Sequence, residues 1–193
     1  MNDIQERLHA LTTPVPSDLE ERTLLEAGAA DRIATADTPI GAAWIAWSRR
    51  GVTGLTPLFA APTEDAFMAH HRRRSYHTDH LPRDLEAVIT RGLETGDASD
   101  VPVDFAGIAT FQASVLAACA TIPAGAVRPY GWIADEIGNP GSVRAVGTAL
   151  GRNPIPLIVP CHRVVRSDGS IGQYAFGADI KRELLIREGA ILA

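Results

Sequence analysis

Asn153-Pro154-Ile155-Pro156-Leu157-Ile158-Val159-Pro160-Cys161-His162-Arg163-Val164-Val165 sets a thiol beside an imidazole at the end of a short apolar run. Residues 153–159 read as a buried strand led by proline-containing turns. Cysteine is among the most readily buried side chains, so packing alone can account for one. A thiol becomes a strong nucleophile when a base or a positive charge acts on it, and His162 is placed to supply that. The other cysteine, Cys119, lies in the small-residue helical stretch Ser114-Val115-Leu116-Ala117-Ala118-Cys119-Ala120 and reads as core packing. In a cytosolic protein the default for two cysteines is two reduced thiols.

Upstream, a helical pattern runs from Phe111 through Val115 and Leu116 to Thr121, with Thr110 placed to cap it. Pro123-Ala124-Gly125 makes a turn. Residues 130–137 read as a short helix, Gly138-Asn139-Pro140-Gly141 as a sharp turn and 142–151 as a second helix. Two short helices across a Gly-containing turn form a helix-turn-helix pattern. The second helix, Ser142-Val143-Arg144-Ala145-Val146-Gly147-Thr148-Ala149, is nearly all small side chains around one arginine. Small residues let a helix approach another surface closely, and Gly147 would be costly if helix stability were the only demand.

The first half reads differently. Residues 2–11 and 17–30 carry the spacing of two short helices, and 32–38, 42–49 and 52–59 read as strands with turns at Pro39-Ile40-Gly41 and Arg50-Gly51. A helix is expected over 64–74, capped by Thr63 and with Glu64 and Asp65 in its first turn, and another over 82–95. Residues 96–102 are the best linker between the halves. His70-His71 and His77-x-x-His80 invite a metal reading, but a structural zinc site wants four ligands and no cysteine is near. Arg72-Arg73-Arg74 reads as a solvated basic face.

With 46% hydrophobic and 21% charged residues over 193 positions, the composition is that of a globular chain able to bury a core. No apolar run approaches a membrane span and the opening residues are polar, so the expected location is the cytoplasm. The net charge of −5 is unevenly spread. Residues 121–193 hold eight of the 18 basic and six of the 23 acidic side chains, leaving ten and 17 in the first 120. Phosphate binding needs local positive charge rather than a positive total, and the C-terminal excess permits it.

Asn153-Pro-x-Pro, Pro160-Cys161-His162-Arg163-Val164, Gly172-x-Tyr174, Lys181-Arg182-x-Leu-Leu and Glu188-Gly189 resemble the O6-alkylguanine-DNA alkyltransferase family. This is also the methylated-DNA–protein-cysteine methyltransferase family. The likeness extends through Phe111-Gln112, Ile122-Pro123-x-Gly125, Tyr130 and Arg144-Ala145-Val146-Gly147, so it covers the chain from about Pro102 to Gly189. It implies a mixed α+β fold: a helical extension over 1–30, a small ribonuclease-H-like sheet domain over 31–100, and a mainly helical domain over 101–193. The last would hold the helix-turn-helix and the alkyl-accepting cysteine.

The resemblance implies stoichiometric removal of an alkyl group from O6-alkylguanine in double-stranded DNA, by a monomer needing no cofactor or metal. Cys161 is then the nucleophile, His162 the base acting through a water, and Glu188 the group that orients and polarises the imidazole. Asn153 braces the turn that carries the cysteine, and the Tyr130 hydroxyl contacts the extruded guanine. Arg144 corresponds to the finger that fills the void left by base flipping, with Ala145, Gly147 and Thr148 near the groove. Val164, Tyr174 and Ala175 would line the base pocket, which Phe176 would narrow. Phe176 stands where some members carry consecutive small residues, and Leu116 where many carry Trp.

Two other classes compete. Some relatives bind alkylated DNA without accepting the group, but they lack the cysteine that is present here. A thiol hydrolase or acyltransferase would use the same Cys161-His162 pair without needing the Arg144 helix. Taken alone, Glu188 reads as a surface carboxylate, Tyr130 as a core aromatic and Arg144 as a surface charge.

Overall fold

The computed structural model describes residues 18–71 and 73–192. The helix expected over 2–11 lies outside them. A short helix, α1 (Leu19–Glu26), leads into strands β1 (Ala30–Ala36), β2 (Ala43–Ser48) and β3 (Gly51–Pro57). Helix α2 (Glu64–His70) and strand β4 (Arg74–His77) follow, then α3 (Arg83–Thr95). The C-terminal half holds α4 (Thr110–Ala120), β5 (Arg128–Pro129), α5 (Tyr130–Glu136), α6 (Val143–Gly151), β6 (Val164–Val165) and α7 (Ala178–Arg187). The class is mixed α+β, as the sequence predicts.

The four-stranded sheet has the order β3-β2-β1-β4, with β1 antiparallel to β2, β2 antiparallel to β3, and β4 parallel to β1. Every residue of β2, Ala-Trp-Ile-Ala-Trp-Ser, is buried because both faces of the sheet are covered. Ala34, Ala43, Ile45 and Trp47 face the large core, which also takes in Ile89 and Leu93 of α3 and Val115, Leu116 and Cys119 of α4. Ile33, Trp44 and Ala46 face the opposite way, onto Phe67 of α2.

Several local expectations need correction. The helix expected over 64–74 stops at His70, because the next residues are drawn to a buried carboxylate. His71 turns extended, and its Nε2 lies 2.8 Å from Asp31 Oδ2. Arg73 Nε donates to both Asp31 oxygens at 2.9 Å. The chain leaves that anchor as β4, a strand the sequence reading missed. The Thr63 cap is present, accepting from Ala66 N at 3.2 Å. Thr110 is not a cap: Ala109 holds that position and Thr110 is the first helical residue. The helix expected over 142–151 is preceded by a 3-10 turn, Pro140–Ser142, and α6 begins at Val143. The helix expected over 17–30 ends earlier, since Gly28 (φ 67°) turns the chain into β1.

The largest correction concerns residues 153–159, which form a buried turn rather than a strand. Its only ladder-type pairing is one isolated bridge, Pro156 to Val159, and Leu157 adopts φ 72°. A left-handed conformation at a branched residue costs backbone energy and persists only where packing holds it. Prolines at 154, 156 and 160 remove donors that a strand would need.

The 96–102 segment is docked rather than free. Val52 N donates to Pro102 O and Asp104 N to Val52 O, both at 2.8 Å, along the edge of β3. Only a glycine fits opposite: a Cβ on Gly51 would lie 2.4 Å from Pro102 O. Leu55 N also donates to Pro154 O at 2.8 Å, so β3 reaches the turn that leads to Cys161.

Candidate active site

Cys161 sits in a one-turn 3-10 helix, Cys161–Arg163, directly after the buried turn. Asn153 organises both. Its Nδ2 donates to Val159 O at 2.9 Å and to Cys161 Sγ at 3.2 Å, while its Oδ1 accepts from Ile155 N at 3.0 Å. One amide thus closes the turn and touches the sulfur. Burial pushes the thiol pKa up, opposed by the Asn153 hydrogen bond and the Lys181 charge. At neutral pH Cys161 is therefore a thiol, and a base is required to make it a nucleophile.

His162 is 1% exposed. Burial lowers its pKa below the usual 6.5, although the hydrogen bond and charge of Glu188 pull the other way. Its Nε2 lies 2.9 Å from Glu188 Oε1. An ionised carboxylate only accepts, so Nε2 carries the proton and Nδ1 presents a lone pair. That Nδ1 is buried with no hydrogen-bond partner among the described residues. The imidazole is neutral, oriented, and able to accept a proton at one defined atom.

Glu188 caps the C-terminus of α7, and both its oxygens are engaged. Oε1 also accepts from Arg163 Nη2, and Oε2 from Arg163 Nε, each at 2.8 Å. Burial would raise this carboxyl, but hydrogen bonds and charge from His162 and Arg163 outweigh it and hold the pKa at about 2. Sequence reasoning assigns Arg163 no role. It is 4% exposed and also donates to Ile122 O and Gly96 O, so it ties the site to α4 and the end of α3. The signal was available: a guanidinium between His and two valines in an apolar run needs a buried partner.

Sequence reasoning assigns Lys181 no role either. Its side chain is fully buried, and Nζ donates to Val164 O at 2.6 Å and Gln173 O at 3.4 Å. Burial lowers its pKa to about 8. Its place on the same face of α7 as buried Leu184 and Leu185 was the legible sign.

Tyr130 reaches the site through a two-residue ladder. β5 and β6 pair in parallel, with Arg128 opposite Val164 and Pro129 opposite Val165, so Tyr130 emerges beside the cysteine loop. Burial raises its hydroxyl pKa, with a further push from Cys161. A Cβ on Gly172 would lie 3.7 Å from the Tyr130 hydroxyl, and one on Gly147 would lie 3.8 Å from its ring. Gly147 therefore faces Tyr130, while Arg144, Ala145 and Thr148 occupy the exposed side of α6. Gln112 Nε2 donates to Arg152 O at 2.9 Å, satisfying a carbonyl just past the end of α6.

Val164 is buried, Tyr174 and Phe176 are half-buried and Ala175 is exposed. The Tyr174 ring stands edge-on to His162 at 6.4 Å and to Phe176 at 5.5 Å. Its hydroxyl is buried without a hydrogen-bond partner among the described residues, and burial raises its pKa. The structure thus brings together Cys161, His162, Glu188, Asn153 and Tyr174, with Tyr130 at the margin.

Three histidines of the first half have other partners. His77 pairs with Glu64 at 3.0 Å, His70 with Ala66 O, and His71 with Asp31. Among the described residues no group of three or more His, Cys, Asp or Glu is arranged to hold a metal, and no helix is long and apolar enough to cross a membrane.

A buried thiol, an oriented imidazole and two short helices across a tight turn lie together within residues 130–188. Similarity to known proteins specifies the class. The family profile described as 6-O-methylguanine DNA methyltransferase, DNA binding domain, matches residues 110–190. The chain is 47% identical over 108 residues to the methylated-DNA–protein-cysteine methyltransferase of Methanosarcina acetivorans, covering 56% of this chain and 67% of that one. With the bifunctional transcriptional activator/DNA repair enzyme Ada of Escherichia coli, identity is 35% over 164 residues, covering 81% of this chain and 45% of that one. The match to the methyltransferase of Mycobacterium bovis spans about half of that relative's length (52%). The crystal structure of Mycobacterium tuberculosis OGT in complex with DNA superposes with a TM-score of 0.66 at 35% identity, covering 82% of this chain and 93% of that one. The chain belongs to the methylated-DNA–protein-cysteine methyltransferase family.

Proposed function

We propose that this protein repairs DNA by moving the alkyl group of O6-alkylguanine, methyl above all, onto Cys161 in a single irreversible turnover. The observation that carries the reading is the polarity of the relay. Glu188 holds the proton of His162 on Nε2, which leaves Nδ1 free to accept one, in a site whose thiol cannot ionise unaided.

His162 Nδ1 takes the Cys161 proton through a water as Sγ attacks the alkyl carbon in line with the C–O6 bond. The S–C bond forms while C–O6 breaks, the electron pair stays on O6, and the proton from the thiol ends on the guanine ring. Tyr130 donates its hydroxyl proton in a hydrogen bond to the departing base. The buried Lys181 cation stabilises the thiolate as it forms, and Asn153 holds Sγ on line. Nothing in this scheme breaks the thioether, so each chain acts once, and no step calls for a cofactor.

A base stacked in a duplex cannot reach a buried sulfur, so it must be extruded. The exposed face of α6 supports an approach from the minor groove, with Arg144 entering the stack and Ala145 and Thr148 lying close to the backbone. The extruded guanine would then meet Val164, Tyr174 and Ala175, with Phe176 limiting the space for the alkyl group. On this reading residues 101–193 bind DNA and accept the alkyl group, 31–100 brace that domain, and the work is done in the cytoplasm.

The testing experiment is a titration. Protein is mixed with increasing excess of a duplex bearing one O6-methylguanine, and repaired guanine is counted. A plateau at one guanine per chain supports the reading, and continued turnover or no repair contradicts it.

A further inference from the structure

Phe59 belongs to the sheet half of the molecule, in the turn that follows β3, yet its ring packs on the active-site loop. It stands edge-on to Phe176 with centroids 5.7 Å apart and planes at 85°. Phe176 stands edge-on to Tyr174 at 5.5 Å and 87°, and Tyr174 edge-on to His162 at 6.4 Å and 78°. Four aromatic side chains therefore run in unbroken contact from the surface of the sheet half to the imidazole.

Phe59 is an odd residue for packing alone, since it is 56% exposed while the aromatics of the two cores are nearly fully covered. Its backbone is well fixed. Leu58 N donates to Ala42 O at 2.8 Å, and Ala60 N and Ala61 N donate to Pro57 O at 2.9 and 3.1 Å. The loop that carries Phe176 is tied more lightly. Gly177 N donates to Tyr174 O at 3.1 Å, Lys181 reaches Gln173 O at 3.4 Å, and the loop is bracketed by Gly172 and Gly177 at positive φ. A ring on a rigid turn leans against a ring on a lightly held loop. Edge-to-face geometry gives that contact a preferred orientation.

We propose that Phe59 is a specificity-determining residue of the alkyl-transfer reaction: it props Phe176 inward and so sets the largest alkyl group the pocket accepts. The proposal rests on the function inferred above and adds a role for the sheet half in selecting substrate. Without the Phe59 ring, Phe176 can swing into the space it leaves, and the rim widens without any change at Cys161, His162 or Glu188. The methyl group, being small, gains nothing from that freedom.

The test measures second-order rate constants for transfer from an O6-methylguanine duplex and from O6-benzylguanine as the free base. The proteins are wild type, Phe59→Ala, Phe59→Tyr, Phe176→Ala and the Phe59→Ala/Phe176→Ala double variant. We expect Phe59→Ala to raise the benzyl-to-methyl ratio about three- to tenfold, as loss of one aromatic pair would allow, with the methyl rate within about twofold of wild type. Phe59→Tyr keeps the ring and should keep the wild-type ratio. The double variant should match Phe176→Ala alone, because Phe59 acts only through Phe176. An unchanged ratio in Phe59→Ala, or additive effects in the double variant, overturns the proposal. Failure of the wild-type protein to accept methyl from the duplex at all overturns instead the function on which it rests.

Discussion

His162 Nε2 and Glu188 Oε1 lie 2.9 Å apart, 26 residues distant in sequence, and both side chains are almost entirely removed from solvent. The same Glu188 oxygen accepts from Arg163, so a single carboxylate orients the base and neutralises a buried guanidinium. The base and the residue after it in the chain are thereby locked to the C-terminus of α7.

Glu188→Gln should separate these two duties. The amide can still accept from Arg163 but cannot fix the imidazole tautomer by charge. We expect the methyl-transfer rate to fall about 10²–10⁴-fold, the span typical of a lost acid–base arrangement. Stability should fall by about 3–5 kcal/mol, since one partner of a buried ion pair is gone. Single-turnover kinetics and denaturant unfolding would check the two figures separately.

Acid should weaken the fold in two stages. His162 is held below its ordinary 6.5, so the unfolded chain binds that proton first and stability declines as pH falls through 6.5. Glu188 is held at about 2 against an ordinary 4.5, so its contribution is present above 4.5 and lost between there and about 2. At the alkaline end Lys181 acts in the opposite region. Its folded value of about 8 lies below 10.5, so stability should rise as pH climbs between the two. Thermal melts across pH would show these slopes, and Lys181→Met should remove the alkaline one.

The transfer rate should stay level as pH falls through 6.5 and drop only at lower pH, because the base is already neutral there. A midpoint at or above 6.5 would mean that His162 is not the group that accepts the proton.

Much of this arrangement was legible beforehand. The Cys161-His162 pair, the two short helices on either side of the 138–141 turn and the first three strands follow from residue spacing. The turn at 153–159 was not, because a short apolar run looks alike as a strand or as a buried loop; only the prolines hinted at the latter. β4 was hidden because the residues that end α2 do so through Asp31, 40 and 42 positions away from His71 and Arg73. Arg163 and Lys181 went unread for a similar reason: their partners are main-chain carbonyls and a carboxylate that only the fold brings near.

Arg144→Ala should slow transfer from duplex DNA while leaving reaction with a free modified base within about twofold of wild type, since no extrusion is then needed. Loss of one cation from the exposed face of α6 should also reduce the salt dependence of duplex binding by about one unit of slope. Rates on the two substrates, and binding at several salt concentrations, would check both.

Asn153→Ala removes the Nδ2 donor to Cys161 Sγ and two bonds that close the turn. We expect a loss of about 1–3 kcal/mol in stability from the unsatisfied buried groups, together with a slower transfer step. Asn153→Asp should not rescue it, because a carboxylate cannot donate to the sulfur or to Val159 O.

Transfer of the methyl group to Cys161 is read from the intact mass of the protein after incubation with an oligonucleotide duplex containing O6-methylguanine, beside a Cys161→Ser control. A gain of one methyl group in the protein and none in the control is expected. Binding of the duplex with no gain in mass would contradict that transfer, and would make this a protein that recognises the lesion without removing it.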